Sequence, residues 1–577
     1  MEGIDRKPLA LFFISIFFLL VLSYGDTLHH PFNFDDSLIL KTEITPTGDK
    51  YFQSPLQYRH LFYLSFALNY DLGKTDPQGY HVLNISFHFL TTLLVFFISW
   101  STFSRGLDYN PKKAAAIAGI TTLFFAISPV HTETVTYISG RATGLAGFFF
   151  LLALLFFILA NFREKTLTSR VILFLLSALF FFAAVLSKET SLTLPAIMLL
   201  YDYCFMNGEK WFPRKNRLLY FYLPAGSVGA LALFQTGFMK SLILEWAQKM
   251  DFNYALQQTR IIGHAIHLLL FPIGLTLDYD FPDSFFPHPV LTAWPLLLIA
   301  VLLWGTSKYF PNSKRIIIFG VAWFLLTLAP TNSFLPRLDL LSERNLYLPS
   351  FGLFFIGAFA LGHSFLFSGK TILKKTGTAC LIAILSFQAF LLIERNGDYR
   401  SNIILWEDTV KKAPGKTRAW QNLSHYYLIE LNYEKTLEAI QGLMRSNPSD
   451  KYLSQAHSKL GVIHSRQGQH ASAIASYEKA IQLDPSTPVN HLNLGGLYIK
   501  QGKFKEAKTA YDNAERLFKN QVPPSPLPPT VYLNKAFILF NLGSFHPAKS
   551  AIETYLIHNP ESQYTQTLLG NINLALR

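Results

Sequence analysis

Apolar runs long enough, or nearly long enough, to cross a bilayer recur through the first two thirds of the chain. They lie at about 9–24, 79–100, 114–128, 142–160, 169–187, 189–206, 218–238, 289–305, 315–330, 349–367 and 372–393. This pattern predicts roughly eleven membrane-spanning helices. The first run follows Arg6 and Lys7 as a signal peptide would, but it lacks a small-x-small cleavage site and many similar runs follow it. It is therefore expected to remain as an uncleaved span.

Past Ile393 the pattern changes to polar helix with a long repeat. Gly468 and Gly502, Ala480 and Ala514, and Leu460-Gly461 and Leu494-Gly495 are each 34 residues apart, the tetratricopeptide period. An earlier copy runs from Ala419-Trp420 to Asn447-Pro448. A later one, displaced by the proline-rich insert Pro523–Pro529, carries Asn534, Ala536, Gly543 and Ala548. About four repeats result, with Tyr564–Leu576 as a terminal cap. The expected fold is all-α: a polytopic membrane domain over 1–395, a linker at 396–417 and a repeat solenoid over 418–577, whose concave groove suits a polypeptide.

Composition agrees with this division. A chain of 577 residues that is 50% hydrophobic, with 53 Phe and 15% charged residues, is too large and too apolar for one soluble core. The net charge of +13 does not point to nucleic acid, because the basic residues cluster in short loops between apolar runs and there set orientation. The two cysteines, Cys204 and Cys380, lie in or beside apolar runs, giving neither a disulfide framework nor metal-ligand spacing.

The basic loops fix an expected topology. Arg6 and Lys7, then Arg105, Lys112 and Lys113, then Arg163, Lys165 and Arg170, then Lys210 to Arg217, then Lys308, Lys314 and Arg315, then Lys370, Lys374 and Lys375 belong on the cytoplasmic side. They stay together there only if a further apolar run, Ile261–Leu277, dips in and returns as a re-entrant or interfacial segment. His264 and His267 sit one helical turn apart on it and would face the same cavity, although such histidines are more often simply packed.

The opposite, outer face then collects Asp35 and Asp36, His131 and Glu133, Arg141, Lys188 and Glu189, Asp278 to Asp283, and Glu343-Arg344-Asn345. Charges at membrane depth are expensive, so their convergence on one side predicts a lined cavity. Each has a plainer role as well: Asp35 or Asp36 can cap a short helix, Arg141 and Lys188 can snorkel from span ends, and Arg344 can pair with Glu343 or Asp339. The amphipathic stretch Arg59–Leu72, short for a span, is expected along the outer interface.

Taken in order, Phe34-Asp35-Asp36, Tyr58-Arg59 through Asn69-Tyr70, Gly79 to Asn84, Pro129-Val130-His131-Thr132-Glu133 through Ile138 to Ala142, Ser187-Lys188-Glu189-Thr190, Glu343-Arg344 through Ser350, and Trp406 resemble a known family. These are the transmembrane and tetratricopeptide-repeat O-mannosyltransferases and their bacterial relatives, membrane enzymes of GT-C architecture. The chain departs from the family pattern at Ser128, Thr143 and Asn345, where His commonly precedes the proline, Asp often follows Arg-Ala, and Asn follows Arg344.

The resemblance implies transfer of a sugar, classically mannose, from a polyprenyl phosphate carrier to a Ser or Thr hydroxyl of a protein on the non-cytoplasmic face. The acceptor hydroxyl is a poor nucleophile and needs a carboxylate base, whereas phosphate leaves without an acid. Asp35 is the expected base and Asp36 its catalytic neighbour, orienting sugar hydroxyls or raising the base pKa by like charge. Arg141, Lys188 and Arg344 are the expected phosphate ligands, and His131, Glu133, Glu189, His264 and His267 the candidate cavity lining. No cofactor is expected to be required, though two carboxylates and a phosphate leave room for Mg²⁺ or Mn²⁺.

The expected setting is a bacterial inner membrane with the repeats in the periplasm, or the endoplasmic reticulum with lumenal repeats if the source is eukaryotic. The rival readings are a GT-C enzyme acting on a lipid or cell-envelope polymer, a non-catalytic membrane-anchored repeat scaffold, and a transporter. The Asp35-Asp36 pair disfavours the scaffold. A transporter would show mid-span ionisable residues and related halves.

Overall fold

The computed structural model describes residues 6–36, 59–161, 166–206, 226–227, 252–281, 297, 299, 301, 313–333, 336–337, 339–521, 527–559 and 563–577. The chain divides into two compact units, Met1–Lys412 and Ala413–Arg577, and the described secondary structure is helical throughout.

In the first unit, α1 (Arg6–Tyr24) leads through a 3₁₀ turn to the acidic loop. There follow α2 (His60–Gly73), α3 (Pro77–Ser101), α4 (Pro111–Ala126), α5 (Arg141–Ala160), α6 (Leu167–Ser187), α7 (Leu194–Tyr201) and α8 (Phe252–Leu270). The unit ends with α9 (Lys314–Leu328), α10 (Tyr347–Leu361), α11 (Thr371–Gly397) and α12 (Asn402–Lys412). Several starts are written locally. Asp76 accepts the Gln78 N–H at 3.0 Å and Asn110 accepts that of Lys112 at 3.0 Å, each followed by a proline in the first turn.

Among the described residues six helical segments are long and apolar enough to cross a membrane: Arg6–His29, Pro77–Gly106, Ile138–Ala160, Leu167–Ser187, Glu343–Leu366 and Thr371–Arg400. A seventh is added if α4 and the following Pro129–Val135, bent by 51°, count as one span. The protein is thus an integral membrane protein, with six or seven described spans where roughly eleven were expected. The remaining expected runs fall as follows. The apolar run 189–206 is helical throughout, as a 3₁₀ turn at Glu189–Thr193, α7 and a π-helical turn at Asp202–Met206, and 315–330 yields the 15-residue α9, whose rise is about 22 Å against a hydrocarbon core of about 30 Å. The runs at 218–238 and 289–305 lie largely outside the described residues. Within 261–277, α8 stops at Leu270 and the chain continues irregularly to Phe281; α8 is not among the helices that satisfy both length and apolarity.

The core of the first unit is aromatic and closely packed. Where α9 meets α10, Gly320 and Gly352 face each other, and a Cβ on either would overlap the carbonyl oxygen of the other. The contact is thus backbone on backbone, as small residues permit between membrane helices. Beside it the Trp323 Nε1–H donates to the Leu348 carbonyl at 2.8 Å. α2 lays Phe62 and Phe66 against Tyr80, Ile138 and Ala142, and leaves Leu68 and Leu72 exposed. The stretch 396–417, expected as a linker, contains α12, whose Leu405 and Trp406 are fully buried within the first unit.

The second unit is a run of paired helices: α13 (Thr417–Ile429) with α14 (Tyr433–Arg445), α15 (Asp450–Arg466) with α16 (His470–Leu483), α17 (Pro488–Lys500) with α18 (Phe504–Lys519), and α19 (Pro529–Asn541) with α20 (Phe545–His558). A last helix, α21 (Gln563–Ala575), packs on α20. The turns within three of these pairs rest on Gly468, Gly502 and Gly543 at φ of +76°, +72° and +73°, a conformation that a Cβ disfavours. Gly461 and Gly495 admit the rings of Tyr477 and Tyr511 from the following helix.

Replacing Gly352 by Ala should lower the unfolding midpoint of the purified protein in detergent by several degrees, since overpacking typically costs about 1–3 kcal/mol. Gly357→Ala, on the same helix with open space at its Cβ, should leave the midpoint near that of the natural chain.

Candidate active site

The acidic loop is a tight turn. The Asp36 N–H donates to the Asn33 carbonyl at 2.9 Å, so Asn33 and Asp36 close the turn and Phe34 and Asp35 form its tip. Phe34 lies at φ +46°. A non-glycine residue in the left-handed region costs about 1–3 kcal/mol and persists only where its surroundings hold it there.

Asp36 is fully buried. One carboxylate oxygen accepts the Asn33 N–H at 2.9 Å; the other accepts the Ser139 N–H at 2.8 Å and, more closely, the Ser139 hydroxyl. Burial pushes its pKa up to about 7 in spite of these donors, with the neighbouring Asp35 charge adding to the rise. Ser139 stands in the one-turn Ile138–Gly140 segment that starts the span containing α5. There Gly140 is obligatory, because a Cβ would overlap the Glu133 carbonyl. The turn is thus bolted to the Glu133–Arg141 motif through Asp36, while Asp35 stays half-buried at the tip.

The same motif organises the cations. The buried carboxylate of Glu133 accepts the Ser342 hydroxyl at 2.9 and 3.0 Å, the Arg344 N–H at 2.9 Å and, as an ion pair, Arg344 Nε at 3.5 Å. Arg344 keeps a side-chain exposure of 30%, stands 5.9 Å from the ring centre of Tyr137 and lies within electrostatic reach of Asp35. Behind it the buried Glu343 accepts the Tyr279 hydroxyl at 2.9 Å and pairs with Arg395 at 3.4 Å, and Arg395 continues to Asp398 at 2.9 Å and Asp408 at 3.3 Å.

Lys188 is buried, and its ammonium donates to two neutral oxygens, Thr143 Oγ1 at 2.7 Å and Asn345 Oδ1 at 3.2 Å. Burial pushes its pKa down to about 7, opposed by Glu189 and reinforced by Arg344, Arg59 and Arg337. Glu189 is itself gripped by Arg59 through two bonds of 3.0 and 3.2 Å, and the guanidinium holds its carboxyl down at about 2.

Arg141 is held among protein groups. Its guanidinium lies 4.3 Å from the Phe66 ring centre and donates to Asn84 Oδ1 at 2.7 Å, the Tyr80 carbonyl at 3.0 Å and the Ser65 carbonyl at 3.1 Å. Every nitrogen is engaged, so in this arrangement Arg141 ties α2 and α3 to α5. His131 is likewise committed to packing: it bonds the Phe125 carbonyl at 2.8 Å and the Ser350 hydroxyl at 2.9 Å among aromatic rings. His264 is half-buried on α8 with its ring 6.0 Å from that of the exposed His267 and 5.7 Å from Tyr279. Burial pushes the His264 imidazole down to about 4. Among the described residues no group of three or more His, Cys, Asp or Glu gathers as metal ligands.

Ser139, Tyr137, Asn84, Arg59 and Ser342 were not singled out as site residues from sequence. Ser139 and Tyr137 flank the Ile138 position of a motif already in view, and Thr143 and Asn345, noted as departures from a pattern, meet at Lys188.

Sequence comparison adds an independent line. Tetratricopeptide-repeat profiles match residues 461–502 and 490–521. The protein O-mannosyl-transferase TMTC3 of Mus musculus is 25% identical over 558 residues, 88% of this chain and 57% of the relative. Its Mus musculus paralogue TMTC4 is 26% identical over 470 residues, 70% of this chain and 62% of the relative. The chain is homologous to the TMTC O-mannosyl-transferases. It spans less than two thirds of the length of these relatives. Among solved structures, ArnT from Cupriavidus metallidurans bound to undecaprenyl phosphate aligns over 82% of this chain and 80% of its own at 14% identity, with a TM-score of 0.38, a similarity too low to carry fold or function across.

The raised Asp36 pKa makes a stability prediction. A group that binds its proton more tightly when folded contributes stability fully present below its unfolded pKa near 4 and lost as the pH rises through about 7. Between pH 4.5 and 7.5 the natural chain should lose on the order of 1–4 kcal/mol from this group. Unfolding midpoints in detergent across that window should fall more steeply for the natural chain than for Asp36→Asn.

Proposed function

We propose that the protein transfers a sugar, mannose by analogy with its relatives, from a polyprenyl phosphate carrier to a Ser or Thr hydroxyl of a polypeptide. The reaction takes place at the non-cytoplasmic face, with Asp35 as general base. The observation that carries this reading is the placement of Asp35 at the tip of a turn fixed through Asp36 and Ser139 and within electrostatic reach of Arg344. Homology to O-mannosyl-transferases supports enzymatic activity of this general kind.

In this mechanism the acceptor oxygen attacks the anomeric carbon as Asp35 takes the hydroxyl proton. The new carbon–oxygen bond forms as the bond to the phosphate oxygen breaks, the carrier leaves as its phosphate anion, and the single displacement inverts the anomeric centre. Arg344 and Lys188 stabilise the charge that develops on the phosphate. Their supports divide the work. Glu133 fixes the backbone at Arg344 and leaves the guanidinium partly exposed, whereas Thr143 and Asn345 hold Lys188 without neutralising it. Arg141 serves this site by holding α2, α3 and α5 together. The repeat unit supplies a surface for the polypeptide acceptor. A cavity of about 340 Å³ there is lined by Asn493, Lys500, Tyr511 and Asn534, among others.

Membranes bearing the natural chain should move label from mannosyl polyprenyl phosphate to a Ser/Thr-rich peptide, and Asp35→Asn should reduce transfer by about 10²–10⁴-fold, the range for loss of a general base. Equal transfer by both would remove Asp35 as the base, and no transfer by the natural chain would overturn the O-mannosyltransferase reading. Arg344→Ala should mainly raise the donor KM or lower kcat/KM for the donor, measured by varying mannosyl polyprenyl phosphate at fixed peptide, while the repeat unit stays folded by circular dichroism.

A further inference from the structure

The turn that carries Asp35 is held on a second side, away from Ser139, by residues to which no role has been given. The Asn402 amide, at the start of α12, forms two bonds with it: Nδ2 donates to the Phe32 carbonyl at 3.1 Å, and Oδ1 accepts the Phe34 N–H at 3.0 Å. One side chain thus grips the backbone on both sides of Asn33, much as a neighbouring strand would. The Asn33 amide crosses back, its Nδ2 donating to the Tyr399 carbonyl at 3.0 Å. The Phe34 ring rests edge-on against Trp406, with centroids 5.2 Å apart, and Trp406 is fully buried on the same helix.

We infer that Asn402 is a positioning residue for the transfer reaction: its carboxamide holds Phe34 in the left-handed conformation that presents Asp35 at the tip of the turn. The inference rests on the proposed role of Asp35 as base. Three features favour it over simple packing. The strained residue is the one directly before Asp35, and a hydrogen bond and a ring contact tie it to α12. Strain of this kind persists where the surroundings over-determine it, and it concentrates at functional sites. Further, α12 is tied to the other half of the site: Asp408 on α12 pairs with Arg395 at 3.3 Å, and Arg395 pairs with Glu343, next to Arg344. Lys412, also on α12, bonds Asp408 at 2.7 Å and the Leu275 carbonyl at 2.8 Å. One short helix is therefore the common reference for the base and for a phosphate-binding cation.

The test compares the full-length natural chain, Asn402→Ala, Asn402→Asp and Asp35→Asn in detergent or nanodiscs. Two readouts are used: transfer kinetics with mannosyl polyprenyl phosphate and a Ser/Thr-rich peptide, and hydrogen exchange of the 32–36 segment. Asn402→Ala should lower kcat by about 10–100-fold, the scale on which small misplacement of a reacting group is felt, with donor KM changed by less than about threefold. Asn402→Asp keeps the acceptor for the Phe34 N–H and should recover part of that loss. In Asn402→Ala the Phe34 amide should exchange at least about tenfold faster, and this readout stands whether or not transfer is detected. Natural kcat in Asn402→Ala, with Asp35→Asn inactive, would overturn the inference and leave the proposed function intact. Unchanged exchange at Phe34 would overturn the clamp itself.

Discussion

The buried carboxylate of Asp36 is the joint on which the acidic turn of the first unit depends. It accepts donors from its own turn and from Ser139, 103 residues away in sequence. A carboxylate withdrawn from water is tolerable only when its oxygens are satisfied or protonated, and Asp36 uses both means. The arrangement separates two chemically identical neighbours. Asp36 becomes a structural fastener that favours its proton, and Asp35 stands half-buried at the tip of the turn.

From that joint the site extends through buried polar groups that position rather than react. Glu133 fixes Ser342 and Arg344, Arg395 links Glu343 to α12, and Arg141 gathers Asn84, Ser65 and Tyr80. Removing one member of such a network strands its partners in a poorly solvating interior. Arg344 and Lys188 are each backed by neighbours that cannot rearrange independently.

The sequence was most informative where structure is local. The repeats declare themselves through a 34-residue period, since each pair of helices packs chiefly on its neighbours and needs the same glycine and alanine at the same place. The Asp35-Asp36 pair stands out in the chain for a similar reason: adjacent acids beside a long apolar run are expensive. An apolar run reports hydrophobicity and not helix length, and among the described residues α9 stops short of a bilayer's thickness. The roles of the cations were least legible. Nothing near Arg141 in the chain announces that Asn84, Ser65 and Tyr80 will close around it, and Asn402 gives no hint of the Phe32 and Phe34 backbone it holds.

The cradle around Lys188 carries a consequence of its own. Thr143 and Asn345 meet the ammonium with dipoles, and burial, opposed by the neighbouring Glu189, pulls its pKa down to about 7. An anion arriving beside it favours the charged form and draws a proton from the medium. For any anion, docking and protonation would then be a single thermodynamic event, so that this buried position would discriminate by sign before shape.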